Sequence, residues 1–199
     1  EVIPVYGYYQ NYETLGKSLE TLKTINIDEY LKLFNERLDD PQLRILFSAE
    51  LESFSKTNPT QLLEIITLGL DNSSEKVRVH SAKALRLLAQ VNLKEYSNIV
   101  VSEIKKFNSG SIEAVKSLET IIKEHSDIYL NIYSEILQSV KPEKDKFYFK
   151  VKSNLRQTLN ILAIHNPDEC LKIYENDVKE KRSSDMDYVG HLFKQLAKD

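Results

Sequence analysis

Few residues in this chain could do covalent chemistry, and they stand apart. Cys170 is the one cysteine. With His165 or His191 as a base it could act as a nucleophile. His165 and Cys170 could begin a metal site, but no further ligand follows at useful spacing. His80 and His125 read as structural histidines. A Gly-rich phosphate loop, a nucleophile elbow and an acidic cluster with metal-site spacing are all missing from the sequence. The expectation is therefore a protein without catalysis, cofactor or metal.

Surface charge is the remaining source of chemistry. Lys141, Lys144, Lys146, Lys150, Lys152 and Arg156 are opposed in that stretch only by Glu143 and Asp145, although the whole chain carries a net charge of −3. Lys179, Lys181 and Arg182 follow in a later connection. If the two connections share an edge they form a basic ridge suited to an acidic peptide or a phosphate backbone. A solvated loop without a partner has the same composition. The acidic overall balance argues against a protein that coats nucleic acid non-specifically.

These residues need a scaffold, and composition says which kind. The chain has 199 residues, 41% apolar and 29% charged, with five Gly and five Pro. That suits one ordered domain or a short repeat array, and it leans towards helices, because compact β folds use more turn residues. No apolar run approaches the ~18 residues of a membrane span, and no signal peptide is visible. One cysteine forms no internal disulfide, so an intracellular, cytoplasmic setting without a membrane partner is expected. The chain begins at Glu1 rather than a methionine, as a piece of something longer would.

An internal period is legible. Asn26, Asn58, Asn92, His125 and Asn166 each end one helical pattern and precede another, at steps of 32, 34, 33 and 41 residues. Such a period marks a helical array. Glu29, Gln61, Glu95 and Glu169 lie three residues past their joints, in the manner of a capping box. Pro59 and Pro167 occupy the first helical position, where a missing N–H does no harm. At His125 the pattern lapses, and Ser126 is expected to be the cap.

Each joint opens a first helix, A, with one apolar stripe: Tyr30, Leu62, Tyr96, Tyr129 and Cys170 lead it, and Leu33, Ile65, Ile99, Ile132 and Ile173 follow. The stripe expects Cys170 in the core. A turn leads to a second helix, B, with Leu51, Leu85, Leu118 and Leu159 in one column and Phe54, Leu88, Ile121 and Leu162 in the next. Leu19 and Leu22 extend those columns backwards, so the chain opens on a half-unit. Residues 1–12, with Pro4, Gly7 and Tyr6, Tyr8, Tyr9 and Tyr12, are expected to be a non-helical lead that covers the open end of the core or touches a partner. Residues 13–199 are then one domain, ending in a polar-faced cap at 183–199.

Asn72, Val77, Arg78 and Ala82, followed by Leu85 and Leu88, resemble the core of a HEAT-type repeat. Leu43-Arg44 is similar, Val151-Lys152 is a partial echo, and Gly110-Ser111 stands in the same register. The resemblance implies an all-α solenoid of antiparallel helix pairs, about five repeats after the leading half. For role it implies adaptors, transport receptors, scaffolds and some nucleic-acid binders, including DNA glycosylases for alkylated bases. Those glycosylases use tryptophans on a basic surface, and this chain has no Trp.

The B helices share an outer face. Lys17, Lys83 and Lys116 form one column, Lys56 and Lys123 another, and Glu20, Glu52 and Glu119 lie between, with Arg86 breaking the row. The alternation suits a solvated surface with i,i+3 and i,i+4 pairs. On a concave side it makes a mixed-charge groove for a partner helix or extended segment. A protein-interaction scaffold using this face or the basic ridge is the leading expectation, and nucleic-acid binding is the alternative.

Overall fold

In a computed structural model the described residues are 6–37, 40–139 and 146–179. They are helical, with no strand among them. In order the helices are α1 (Tyr6–Ile25), α2 (Ile27–Arg37), α3 (Pro41–Thr57), α4 (Pro59–Leu70), α5 (Glu75–Val91), α6 (Leu93–Lys105), α7 (Ser109–Ser117), α8 (Ser126–Ser139), α9 (Lys146–His165) and α10 (Pro167–Lys179). One 3-10 turn, Leu118–Thr120, continues α7.

The five joints use one backbone device. The N–H of the joint residue donates to the carbonyl four residues back, closing one helix, and its own carbonyl accepts from the residue four ahead, opening the next. Asn58 N–H meets Phe54 O at 2.8 Å and Leu62 N–H meets Asn58 O at 3.2 Å; Asn26, Asn92, His125 and Asn166 do the same. Asn26, Asn58 and Asn92 also accept, through Oδ1, from the backbone N–H three residues on. That satisfies one of the free donors of the new helix.

The reciprocal capping box forms at Asn108 and Ser111, ahead of α7. Asn166 instead donates from Nδ2 to Ile122 O at 3.1 Å, tying its joint to the preceding unit. At the fourth joint the expected cap is corrected: α8 begins at Ser126, so His125 holds the cap position and Ser126 is the first helical residue.

The apolar columns are buried as the periodicity requires. Tyr30, Leu62, Tyr96, Tyr129 and Cys170 are closed to solvent, as are the two B-helix columns from Leu51 to Leu159 and from Phe54 to Leu162. Each column reinforces its neighbours: α3, α5, α7 and α9 pack each on the next, and so do α2, α4, α6 and α8. The buried phenols find partners across the layers. Tyr96 Oη pairs with Ser117 Oγ at 3.0 Å and Tyr129 Oη with Thr158 Oγ1 at 2.9 Å. Between Asn58 and Asn92 the corresponding positions hold Leu62 and Ala84, an apolar pair needing no hydroxyl. Before Asn58, Tyr30 sits among rings, edge-on to Phe47 and Phe54 at 6.4 and 6.1 Å.

Two expectations are corrected. The lead is not irregular as far as residue 12, because α1 already begins at Tyr6. Pro4 stands ahead of Tyr6 in the sequence and lies outside the described residues. Gly7 costs only ~1 kcal/mol relative to Ala, and twenty helical residues packed on α2 outweigh that. The covering role of Tyr6, Tyr8, Tyr9 and Tyr12 lies outside the described side chains, and the cap at 183–199 lies outside the described residues.

The third B helix is also not a single rod. It tightens at Leu118, where Ser117 Oγ donates to Ala114 O and Thr120 Oγ1 donates to Ser117 O, so that hydroxyls compete with the helical ladder. Leu118 and Ile121 remain buried all the same.

The Val-Arg register shows how one task is done in two ways. Arg78 Nη1 donates to Asn72 O at 2.8 Å and to Ser73 O at 2.7 Å, holding the turn before α5. In the next unit Ser111 Oγ donates to Glu103 O at 2.7 Å. Gly110 replaces Val77 there because the Glu103 side chain fills the space, and a Cβ on Gly110 would stand 2.5 Å from Glu103 Oε1.

Candidate functional site

The outer face of the B helices is exposed as expected: Lys17, Lys83, Lys116, Lys56, Lys123, Glu20, Glu52, Arg86 and Glu119 all reach solvent. Across α3, α5 and α7 this face sinks into an open groove of about 540 Å³. Its floor is made of Leu51, Ala84, Leu87 and Ser117. Ala84 and Ser117 share one register, immediately before the Leu85 and Leu118 column, and their small side chains leave the floor low. Its rim carries Glu52 from α3, Lys83 and Arg86 from α5, Lys116 and Glu113 from α7, and Glu119 from the 3-10 turn.

The rim charges are not all spent within the chain. Lys116 Nζ donates to Glu113 Oε1 at 2.8 Å, the i,i+3 pair that the alternation suggested. Glu52, Lys83, Arg86 and Glu119 have no opposite charge in contact among the described residues. Water screens such exposed groups, so leaving them single costs the fold little.

One wall of the groove holds Ser48 and His80, with Ser48 Oγ 3.3 Å from His80 Nε2. The pair is not set up as nucleophile and base. Ser48 has one hydroxyl proton, and it points at Arg44 O, 2.8 Å away within the same helix. The ring nitrogen is therefore the donor in the contact, and the serine is not deprotonated by it. Burial, then the charges of Arg44 and Lys83, push the His80 pKa down to about 4, so the ring is neutral near pH 7. The contact joins α3 to α5. The place of His80 in the groove wall was not legible, because no periodic column contains it.

Of the proposed basic ridge, Lys150, Lys152 and Arg156 lie on α9; Lys150 is exposed, and Lys152 and Arg156 are half-buried. Lys146 opens that helix. Lys141, Lys144, Lys181 and Arg182 lie outside the described residues, as does the meeting of their two connections. Phe149, exposed on α9, stands edge-on to Tyr148, which leans on Phe107 at 5.9 Å.

Cys170 is fully buried in its column, and burial pushes its thiol up to about 11. Among the described residues no group of three or more His, Cys, Asp or Glu could hold a metal ion. No described helix is long and apolar enough to cross a membrane. Against family models, curated proteins and solved structures, the chain finds no match.

Proposed function

We propose that this chain is a HEAT-like α-solenoid and serves as a non-catalytic interaction scaffold that holds a protein partner in the groove across α3, α5 and α7. The solenoid reading is supported by the layered packing, odd helices on odd and even on even, and by the shared bonding at the five joints. The groove carries the functional reading. It is open, and four of its rim charges, Glu52, Lys83, Arg86 and Glu119, meet no opposite charge among the described residues. Enclosed, mostly apolar pockets suit small molecules, whereas open grooves over helical arrays suit chains.

Display of a random peptide library on the intact protein tests this. Sequences should be enriched on the wild type and lost on Lys83→Glu/Arg86→Glu, whose changes are exposed and leave the core untouched. Enrichment that survives the double change would place the contact elsewhere.

A second reading has its own observation, the exposed Phe149 beside Lys150 at the start of α9. Exposed aromatics with lysines suit single-stranded nucleic acid. This reading expects affinity that falls steeply with salt and drops again in Lys150→Glu/Lys152→Glu. Absence of binding at low salt discards it.

A further inference from the structure

Building on the scaffold reading, we infer that the groove selects an extended peptide whose charges run basic, acidic, basic at steps of about three residues. Set aside the Lys116–Glu113 pair, which neutralises itself at 2.8 Å. What remains across the stack is an acid on α3 (Glu52), two bases on α5 (Lys83 and Arg86), and an acid after α7 (Glu119). The complement is an acidic residue over α5 flanked by a basic residue on each side.

Spacing follows from the packing. α5 packs directly on both α3 and α7. Packed helices stand about 8–10 Å apart, and an extended chain advances about 3.3 Å per residue. One helix-to-helix step is therefore about three residues, which gives the order basic-x-x-acidic-x-x-basic. A helical partner, rising about 1.5 Å per residue, needs about six or seven residues between charges. Arg86 is suited to grip the central carboxylate with two N–H groups at once.

Amide chemical-shift titrations of the whole chain test this with synthetic peptides of one composition and two orders. The first is Lys-Ala-Ser-Glu-Ala-Ser-Lys. The second is Glu-Ala-Ser-Lys-Ala-Ser-Lys, which has the same net charge. The first should bind at least about tenfold more tightly, shift the amides of Ala84, Leu87 and Ser117, and weaken as salt rises. Lys83→Glu/Arg86→Glu should lose that peptide and prefer one with lysine at the centre.

Equal binding of the two orders, or no shift of those amides at about 1 mM peptide, overturns the proposal. So does preference for a helical peptide with charges about seven residues apart, or occupation of the face by a second copy of the chain, seen in sedimentation. If the library of the preceding section enriches groove-dependent sequences of a different charge order, the scaffold reading stands and this inference alone fails.

Discussion

His80 sits where burial, and then the charges of Arg44 and Lys83, favour its neutral form. Its folded pKa of about 4 lies below the ordinary value of 6.5. Below pH 6.5 the unfolded chain binds a proton that the folded chain refuses, so stability falls as pH drops towards 4. The full effect is on the order of 2–3 kcal/mol, present above the unfolded pKa and gone below the folded one. Chemical denaturation of wild type and His80→Gln at several pH values should show this slope in the difference between the two proteins. Cys170 offers a second check. With its thiol pushed up to about 11 by burial, alkylation at neutral pH should be far slower in the native protein than in the denatured one.

Helix α5 separates an inner from an outer face within two residues. Leu85 is fully buried and Lys83 is exposed. Leu85→Ala should cost ~2–5 kcal/mol and Lys83→Ala should stay within ~0.5 kcal/mol in urea unfolding. Comparable losses would mean the faces are misassigned.

The contact of α6 with α7 makes a less obvious prediction. Glu103 is buried, its Oε2 lies 2.9 Å from Lys106 Nζ, and the same ammonium reaches Asp71 at 3.0 Å. Pinned in this way, the carboxylate cannot easily retreat from a new methyl group. Gly110→Ala should therefore cost ~1–3 kcal/mol in the wild type. In a Glu103→Ala background the same change should be neutral or gain up to ~1 kcal/mol, because alanine favours a helix. A double-mutant cycle measures the coupling.

Much at this scale was legible beforehand. The joints, the paired columns and the burial of Cys170 all follow from the spacing of polar and apolar residues. The Glu103–Gly110 exchange was not, because each residue taken alone breaks its register and only their contact explains both. The start of α1 was obscured by Pro4, which stands ahead of the helix in the sequence, and by Gly7, whose local cost the packed helix overrides. The groove's charged rim could be read from the outer columns. Its depth could not, since it depends on Ala84 and Ser117 being small in one register.

For the molecule as a whole, stability should be distributed unevenly. α5 packs against α3, α4, α6 and α7, whereas α10 packs against α9 and α1 against α2 among the described residues. In an array held by contacts between neighbours, interior elements open last. Amide hydrogen exchange should be slowest in α5 and faster in α1 and α10. The groove lies on this most protected part, so its rim charges are held at fixed separations, as selection by charge order requires. Uniform exchange along the chain would contradict both the layered packing and the rigidity the groove needs.

The corners at Asn58 and Asn92 hold nearly the same shape, φ −151°, ψ 78° and φ −150°, ψ 76°. Each is a single residue shared by two rods, so neither has slack. An added residue there would swing every following side chain by about 100° around its axis and carry Leu62 or Tyr96 out of the interior. Growth or shrinkage of this chain must therefore fall between one corner and the next. The 41-residue step does this: its surplus is divided between a longer connection from α8 to α9 and a longer α9, 20 residues against 17 in α3 and α5.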